Sequence, residues 1–216
     1  MKILIVQTGF IGDVILSTPV FYNLKKIYPQ AKITLLTTKE AFPLMKMQES
    51  LDTVKVFDKR QTKKGLKGIQ EMAKELANEN FDAVFSLHKS FRTALLLKLS
   101  KIPHRYGFKE SKLNFLYTGV SARDYTHEAL RNLAILKNIN VNIEKISQDL
   151  QLNFDEETRV EVEKLLAEVS TEKLIGIAPG SVWATKRWTT AGFSEAAQHF
   201  SDKGFRVVLL GGPSDE

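Results

Sequence analysis

Near its amino end the chain reads ILIVQTGFIGDV over residues 3–14. The apolar run over residues 3–6 is typical of a buried β-strand. The apolar spacing that follows, from Val14 to Tyr28, predicts an α-helix. Two glycines and an aspartate therefore occupy a strand-to-helix turn. In an α/β sheet such a turn lies at the carboxyl end of a strand, where ligands bind.

The residues of this turn suit an anionic ligand. Gly9 and Gly12 have no Cβ, so a ligand can approach the backbone closely. The unpaired N–H groups at the helix start, together with its partial positive charge, favour a phosphate. The spacing is G-x-x-G-D, which differs from the G-x-G-x-x-G fingerprint of dinucleotide-binding turns. The sequence therefore disfavours a nicotinamide cofactor.

Asp13 in this turn has two interpretations. It is either a carboxylate in the first helical turn, which stabilises the helix by about 1 kcal/mol, or a general base that points into a ligand cleft. The local sequence fits both interpretations, and both remain open at this point.

Strand and helix patterns alternate along the rest of the chain. Pro19 falls inside the first helical pattern, where we expect it either to kink the helix or to mark a first turn behind Ser17 and Thr18. A βαβα series of this kind predicts a mostly parallel sheet with helices on both faces. Further strands are predicted over residues 32–37, 54–57, 81–87 and 103–107, and further helices over residues 64–78, 91–99 and 127–137.

The pattern divides the chain into two α/β domains and a connection. Residues 1–140 are predicted to form the first domain. The stretch over residues 138–155 is polar, with asparagine at positions 138, 140, 142 and 153, and residues 141–155 are predicted to link the domains. A second domain is predicted over residues 156–216, with strands over 174–178 and 206–210. A doubly wound domain needs more than two strands, so we expect this second domain to be truncated.

The composition excludes several classes of protein. The 216 residues are 43% hydrophobic and include no cysteine, which argues for a packed core and excludes disulfides and thiolate metal sites. There is no signal-peptide pattern and no apolar run of about 20 residues, so we expect a cytosolic protein. The histidines lack metal-ligand spacing, and no P-loop, nucleophile elbow, Asp-x-Asp or nucleic-acid motif is present. The net charge of +6 indicates an anionic partner.

A second strand-to-helix turn reads PGSVWATKRW over residues 179–188. Its backbone amides, together with Ser181, Thr185 and Lys186, could hold a diphosphate and neutralise it as it departs. The alternative is a surface loop whose two tryptophans anchor the next helix.

A third feature is the basic segment over residues 88–112, which has seven lysines and arginines against the single acid Glu110. His88 and Arg92 follow a predicted strand end, so they could face a cleft. The alternative, a solvated helix face, suits Lys98 and Lys101. A further basic run over residues 59–67 is interpreted as a loop and helix start that could meet an anionic membrane at about 1 kcal/mol per basic residue.

Together these stretches resemble the lipopolysaccharide heptosyltransferases, the inverting glycosyltransferases that use ADP-heptose. The resemblance implies a GT-B fold, in which two Rossmann-like domains face each other across a cleft. It places the acceptor on the first domain and the donor nucleotide mainly on the second. The matching segments are residues 5–14, 90–94, 102–108, 179–181 and 186–188, with a weaker match over residues 127–131.

The resemblance also implies roles for individual residues. It makes Asp13 the general base and Lys186 the donor-phosphate lysine, with Ser181 at a nearby hydroxyl position. The remaining donor contacts are expected at Gly9, Gly12, Gly180 and Thr185, and the acceptor contacts at His88, Arg92, Arg105, Lys112 and Arg131.

The partners implied by the resemblance are ADP-heptose and an anionic lipopolysaccharide core acceptor at the cytoplasmic face of the inner membrane. The expected association with that membrane is peripheral. Neither a metal nor a cofactor is expected, nor a specific nucleic acid. The sequence leaves two alternatives: a GT-B transferase with another nucleotide sugar, or a non-catalytic module that binds nucleotides or nucleic acids. The chain by itself is expected to be inactive.

Overall fold

The computed structural model describes residues 1–57, 66–167, 173–181 and 183–212 of the chain. The chain forms two compact units, Met1–Phe154 and Asp155–Glu216. The basic run over residues 59–67 therefore lies mostly outside the described residues. Within the described ranges no helix is long and apolar enough to cross a bilayer.

The first unit is built on a parallel sheet in the order β3-β2-β1-β4-β5-β6. The strand sequence is apolar enough to be buried on both faces, as expected for a parallel sheet. The strands are β1 (Lys2–Val6), β2 (Lys32–Thr37), β3 (Thr53–Val56), β4 (Ala83–Ser86), β5 (His104–Phe108) and β6 (Gly119–Ser121).

Helices cover both faces of this sheet, which confirms the predicted α/β class. The last helix continues directly into a 3₁₀ segment, Ala134–Ile139, and two shorter 3₁₀ turns cover Asn114–Leu116 and Ile143–Lys145. The α-helices are α1 (Ile11–Ile15), α2 (Thr18–Ile27), α3 (Phe42–Met45), α4 (Leu66–Asn78), α5 (Phe91–Leu99) and α6 (Glu128–Leu133).

The alternation of side chains along β1 divides the core into two clusters. Ile3 and Ile5 belong to one cluster, which also contains buried residues of α2 and α6. Leu4 and Val6 belong to the other, together with buried residues of α4 and α5. Because successive side chains of a strand point to opposite faces, one short apolar run supplies both layers.

The helix predicted from Val14 to Tyr28 is interrupted in the structure. It forms two helices, α1 and α2, and Pro19 lies in the first turn of α2. Proline lacks the N–H that would bond Ile15 of the preceding turn, and the Thr18 hydroxyl donates to the Ile15 carbonyl instead at 2.9 Å. Of the two expected effects of Pro19, the structure shows the new helix start.

The segment predicted as a linker lies against the first unit up to Phe154. Ile143 is buried in the core. The side-chain amide of Asn23 donates to the Ser147 carbonyl at 2.7 Å, and the Gln48 side chain accepts from the Asn153 N–H at 3.0 Å. These bonds to backbone groups hold the segment against the first unit, although its side chains are polar enough to predict a linker.

The second unit contains one parallel pair of strands in the described residues. Strands β7 (Leu174–Ile177) and β8 (Arg206–Leu209) pair in register from Leu174 with Arg206 onward. Helix α7 (Glu156–Leu166) precedes β7, and α8 (Thr190–Asp202) connects the two strands.

Candidate functional site

The strand order reverses between β1 and β4. The chain builds β2 and β3 on one side of β1 and then returns to place β4 on the other side, followed by β5 and β6. The loops that follow β1 and β4 therefore flank the topological switch point, where a crevice opens at the carboxyl ends of the strands. The loop after β1 contains Gly9 and leads to Gly12 at the start of α1, and the loop after β4 contains His88.

Asp13 lies at this switch point, in the first turn of α1. Its Oδ2 accepts a hydrogen bond from the backbone N–H of Phe10 at 3.1 Å. The side chain is half-buried, and none of the described residues bonds its Oδ1. Oδ2 therefore makes the contact expected of a carboxylate in the first helical turn, and the bond leaves Oδ1 without a partner among the described residues.

The two glycines of the turn differ in their surroundings. A Cβ on Gly9 would lie 2.7 Å from Oδ2 of Asp13, whereas a Cβ on Gly12 would meet nothing within 4 Å. Gly9 therefore makes room for the aspartate, a role that is additional to its predicted donor contact. Gly12 is exposed and leaves open space beside the helix start.

Gln7 helps to shape the same turn, and the sequence reasoning missed it. Its side chain is buried and its Oε1 accepts from the Gly9 N–H at 3.2 Å. Aspartate and asparagine commonly make such a bond two residues ahead, but glutamine gives no comparable sequence signal. From the far end of α1, the Leu16 carbonyl accepts from the buried Asn132 side chain at 3.1 Å.

The loop after β4 holds His88 and Arg92. Nδ1 of His88 lies 3.1 Å from the Thr93 hydroxyl, which also contacts the Ser90 hydroxyl at 3.0 Å. Ser90 caps α5 by accepting from the Thr93 N–H. These bonds orient the imidazole, while the Arg92 guanidinium remains exposed with its Cζ 5.8 Å from the centre of the Phe91 ring.

Lys112 follows β5 and Arg131 follows β6, so both lie beyond the carboxyl ends of strands in the same sheet. The Lys112 N–H donates to the Lys89 carbonyl at 3.2 Å, so the loops after β4 and β5 touch. Arg131 is more constrained: its guanidinium bonds the Tyr125 carbonyl and lies 3.4 Å from the Glu128 carboxylate. The Lys112 side chain is exposed and available to an anion.

Arg105 does not join this group. Its guanidinium donates to the Leu116 carbonyl at 3.1 Å and to the carbonyls of Ile102 and Pro103, which precede β5. It therefore lies toward the amino-terminal edge of the sheet, whereas the switch-point loops lie at the carboxyl edge. Arg105, predicted as an acceptor contact, instead bonds the backbone just before β5 and just before β6.

The turn in the second unit also combines backbone and side-chain polar groups. The Ser181 hydroxyl accepts from the Trp183 N–H at 3.3 Å, and Nε of Arg187 donates to the Ser181 carbonyl at 2.6 Å. Lys186 ends a 3₁₀ turn with its side chain exposed, and it forms no ion pair within the described part of the chain. The predicted residues Gly180 and Thr185 are exposed in the same turn.

Trp188 packs against the helix that follows this turn. Its ring meets Phe193 edge-on, with centroids 5.3 Å apart. A Cβ on Gly192 would overlap the indole. Trp188 thus has the anchoring role considered for the tryptophans, while Trp183 is 57% exposed.

No metal centre is formed by the residues in the described ranges, since no three His, Cys, Asp or Glu side chains converge there. A doubly wound sheet followed by a second parallel α/β unit is the order of units expected of a GT-B fold. The chain belongs to glycosyltransferase family 9 (heptosyltransferase), whose sequence model matches residues 69–216.

Curated relatives support this membership over the part of the chain that contains Asp13. Lipopolysaccharide heptosyltransferase 2 of Escherichia coli is 25% identical over 224 residues, which is 100% of this chain and 64% of that protein. Lipopolysaccharide heptosyltransferase 3 of the same organism is also 25% identical, covering 94% of this chain and 61% of its own length. The chain spans less than two thirds of these relatives.

Solved structures of the family share the fold. The family 9 glycosyltransferase of Veillonella parvula aligns with a TM-score of 0.86 at 27% identity, over 99% of this chain and 63% of that one. The ADP-heptose lps heptosyltransferase II of E. coli aligns with a TM-score of 0.78 at 25% identity, over 100% of this chain and 66% of that one. The predicted GT-B architecture is therefore confirmed.

Proposed function

We propose that the protein transfers heptose from ADP-heptose to the anionic inner core of lipopolysaccharide, with inversion at the anomeric carbon. The position of Asp13 is the observation that carries this proposal, because it places a carboxylate oxygen without a described partner at the switch point of a family 9 fold. The names of the relatives, which act on lipopolysaccharide, supply the substrate class.

The proposed reaction is a single displacement. Asp13 takes the proton from an acceptor hydroxyl as that oxygen bonds the anomeric carbon, and the bond from this carbon to ADP breaks on the opposite face. General base catalysis of this kind contributes about 10²–10⁴-fold. The hydrogen bond from Phe10 to Oδ2 fixes the carboxylate and leaves Oδ1 to receive the proton.

The second unit supplies the proposed donor-phosphate groups. Lys186 and the Ser181 hydroxyl, with the amides near Gly180, would stabilise the negative charge that develops on the departing diphosphate. The exposed ammonium of Lys186 supports this role. Thr185 lies in the same turn, and on the first unit the open space at Gly12 suits close approach of the donor.

The first unit supplies the proposed acceptor groups at the carboxyl edge of its sheet. Arg92 and Lys112 are exposed cations that can pair with acceptor phosphates or carboxylates, and His88 is oriented by Thr93 beside them. Arg131 follows β6 at the same edge, and its guanidinium, which already pairs with Glu128, is the weaker of the proposed acceptor contacts. Arg105 is left out of this proposal because its guanidinium is directed to the other edge. The enzyme would act at the cytoplasmic face of the inner membrane, peripherally bound.

Release of ADP tests the proposal. The complete gene product receives ADP-heptose and a de-acylated Kdo–lipid A acceptor, and wild type is compared with Asp13→Asn. Asparagine keeps an acceptor for the Phe10 N–H but cannot take a proton, so we expect turnover to fall about 10²–10⁴-fold. The matched control is Asp82→Asn, whose carboxylate accepts from the Lys2 N–H at the start of β1.

Three results would contradict parts of the proposal. Turnover of Asp13→Asn within a few-fold of wild type would remove Asp13 as the base. Faster release of the nucleoside diphosphate from another sugar nucleotide, in a competition assay, would show that ADP-heptose is not the preferred donor. No release from any sugar nucleotide by a folded protein, with salt-sensitive binding to DNA or RNA, would favour a binding module.

A further inference from the structure

The loops after β4 and β5 expose apolar side chains beside basic ones. Phe91 is 47% exposed at the start of α5, and Leu113 and Phe115 are 37% and 76% exposed in the loop after β5. Four exposed basic residues accompany them, and we call the seven together the β4–β5 patch. Its basic members are Lys89, Arg92, Lys109 and Lys112.

Backbone bonds and packing hold the two loops together. The Lys112 N–H donates to the Lys89 carbonyl at 3.2 Å. The 3₁₀ turn Asn114–Leu116 packs against α5, the helix that begins at Phe91. The Asn114 side-chain amide donates to the Lys109 carbonyl at 2.7 Å and closes the loop. The apolar and basic side chains therefore share one surface of the first unit.

The conformation of the loop after β5 keeps its apolar residues outside the core. Leu113 has a φ of 57°, a left-handed conformation that is unfavourable for a leucine. Beyond it, Leu116 and Tyr117 turn inward to the second core cluster, while Phe115, which precedes them, stays exposed. The backbone is therefore strained at Leu113, in a loop where the side chains of Leu113 and Phe115 are exposed to solvent.

The charges of the patch are not balanced by the protein itself. None of its four cations forms an ion pair with any residue in the described ranges. The one acid within this stretch, Glu110, accepts from the Arg123 N–H at 3.0 Å, and its single charge leaves the surface positive. An occupant that provides negative charge together with apolar surface would complement it.

We propose that the β4–β5 patch docks on a bilayer of anionic phospholipid, with Leu113 and Phe115 inserted at the headgroup level. Reversible membrane binding becomes stable when apolar insertion is combined with a basic cluster. An anionic leaflet attracts each nearby basic residue by about 1 kcal/mol. This docking rests on the proposed function in one respect. A lipid-linked acceptor would explain why the carboxyl edge of the sheet meets a membrane.

Vesicle sedimentation tests the docking without donor or acceptor present. The complete protein is mixed with vesicles of phosphatidylcholine alone or with added phosphatidylglycerol. We expect binding only with phosphatidylglycerol. Lys89→Gln and Lys109→Gln should each lower the partition coefficient about fivefold, which corresponds to about 1 kcal/mol per basic residue. Phe115→Ser should lower it about tenfold, since it removes the insertion of one aromatic ring.

The matched controls lie at the other end of α5. Leu99→Ser and Lys98→Gln change an exposed apolar and an exposed basic residue at the opposite edge of the sheet, and both should bind vesicles like wild type. Leu113→Asn provides a second apolar variant, because asparagine tolerates the left-handed conformation. Melting temperatures of all variants show whether the fold is kept.

Four outcomes would overturn the inference: equal binding by patch and control variants, no dependence on phosphatidylglycerol, binding only when the vesicles contain lipopolysaccharide, or tighter binding to DNA or RNA. Turnover on the de-acylated acceptor separates this inference from the proposed function. Phe115→Ser should keep that turnover while its partition coefficient onto vesicles falls about tenfold. A protein that binds vesicles but releases no ADP would contradict only the proposed transferase.

Discussion

The backbone N–H of Phe10 donates a hydrogen bond to Oδ2 of Asp13 at 3.1 Å. The carboxylate therefore caps the amino end of helix α1, in the turn that follows β1. Such a bond restricts the side chain to one orientation. A general base needs a fixed orientation because it must accept the proton from a substrate hydroxyl held in one position. Gly9 makes this orientation possible, because any larger residue there would place a Cβ against Oδ2.

Gly9→Ala should displace the Asp13 carboxylate, because the added Cβ would lie 2.7 Å from Oδ2. A misplacement of about 1 Å can cost about 100-fold in rate, so we expect kcat to fall by about 10- to 100-fold. Steady-state ADP release measures the change. The double variant Gly9→Ala/Asp13→Asn should be no slower than Asp13→Asn alone, since both changes act through one group. Additive losses in the double variant would show that Gly9 acts separately, for example through the donor.

Arg105→Met should reduce stability rather than acceptor recognition. The guanidinium bonds the carbonyls of Leu116, Ile102 and Pro103, and hydrogen bonds that involve a charged group contribute about 1.5–3 kcal/mol. We expect a loss of about 2 kcal/mol in urea unfolding, with the KM for acceptor unchanged in the folded protein. A raised acceptor KM at unaltered stability would restore the role that the sequence assigned to Arg105.

Gly192→Ala should destabilise the second unit, although alanine usually stabilises a helix by about 1 kcal/mol relative to glycine. The new Cβ would overlap the Trp188 indole, and such overpacking costs about 1–3 kcal/mol. Tryptophan fluorescence should shift as Trp188 leaves its contact with Phe193. Trp183 is exposed and supplies a constant background. A raised melting temperature would show that the indole moves aside without loss.

Asp52 should make the free energy of unfolding decrease as the pH falls through the acidic range. Desolvation by burial opposes ionisation, but the Ile33 N–H and the ammonium groups of Lys25 and Lys32 donate to the carboxylate and lower its pKa from 3.8 to about 2. The group binds its proton less tightly in the folded state. Its contribution is therefore present above about pH 5 and is lost as the pH falls toward 2.

Asp52→Asn measures that contribution. We expect wild type to exceed the variant by about 1 kcal/mol in unfolding free energy at neutral pH, a value kept small because the ion pairs lie near solvent. The difference should shrink steadily below about pH 5. A difference that stays constant down to pH 2 would mean that the hydrogen bonds matter and the charge does not.

The sequence predicted the strands and helices that have a strong period, and it missed those that do not. Strand β2 and helix α5 lie where they were expected over residues 32–37 and 91–99. Helix α3 was missed because its four residues make a single turn, which shows no helical period, and strand β6 was missed because three residues are too few to show alternation. The predicted linker contacts the first unit through Asn23 and Gln48, distant side chains that local polarity does not reveal.

The sequence by itself determined the α/β class, the two turn motifs and the aspartate at the first of them, because apolar periodicity and glycine spacing are local properties. The tertiary structure decided which sheet edge each charged side chain reaches. Arg105 lies near the start of a predicted strand, and its guanidinium bonds carbonyls that precede β5, while Arg92 lies beyond the end of β4. That difference depends on strand register and on backbone acceptors many residues away, and the packing of the sheet alone brings these together.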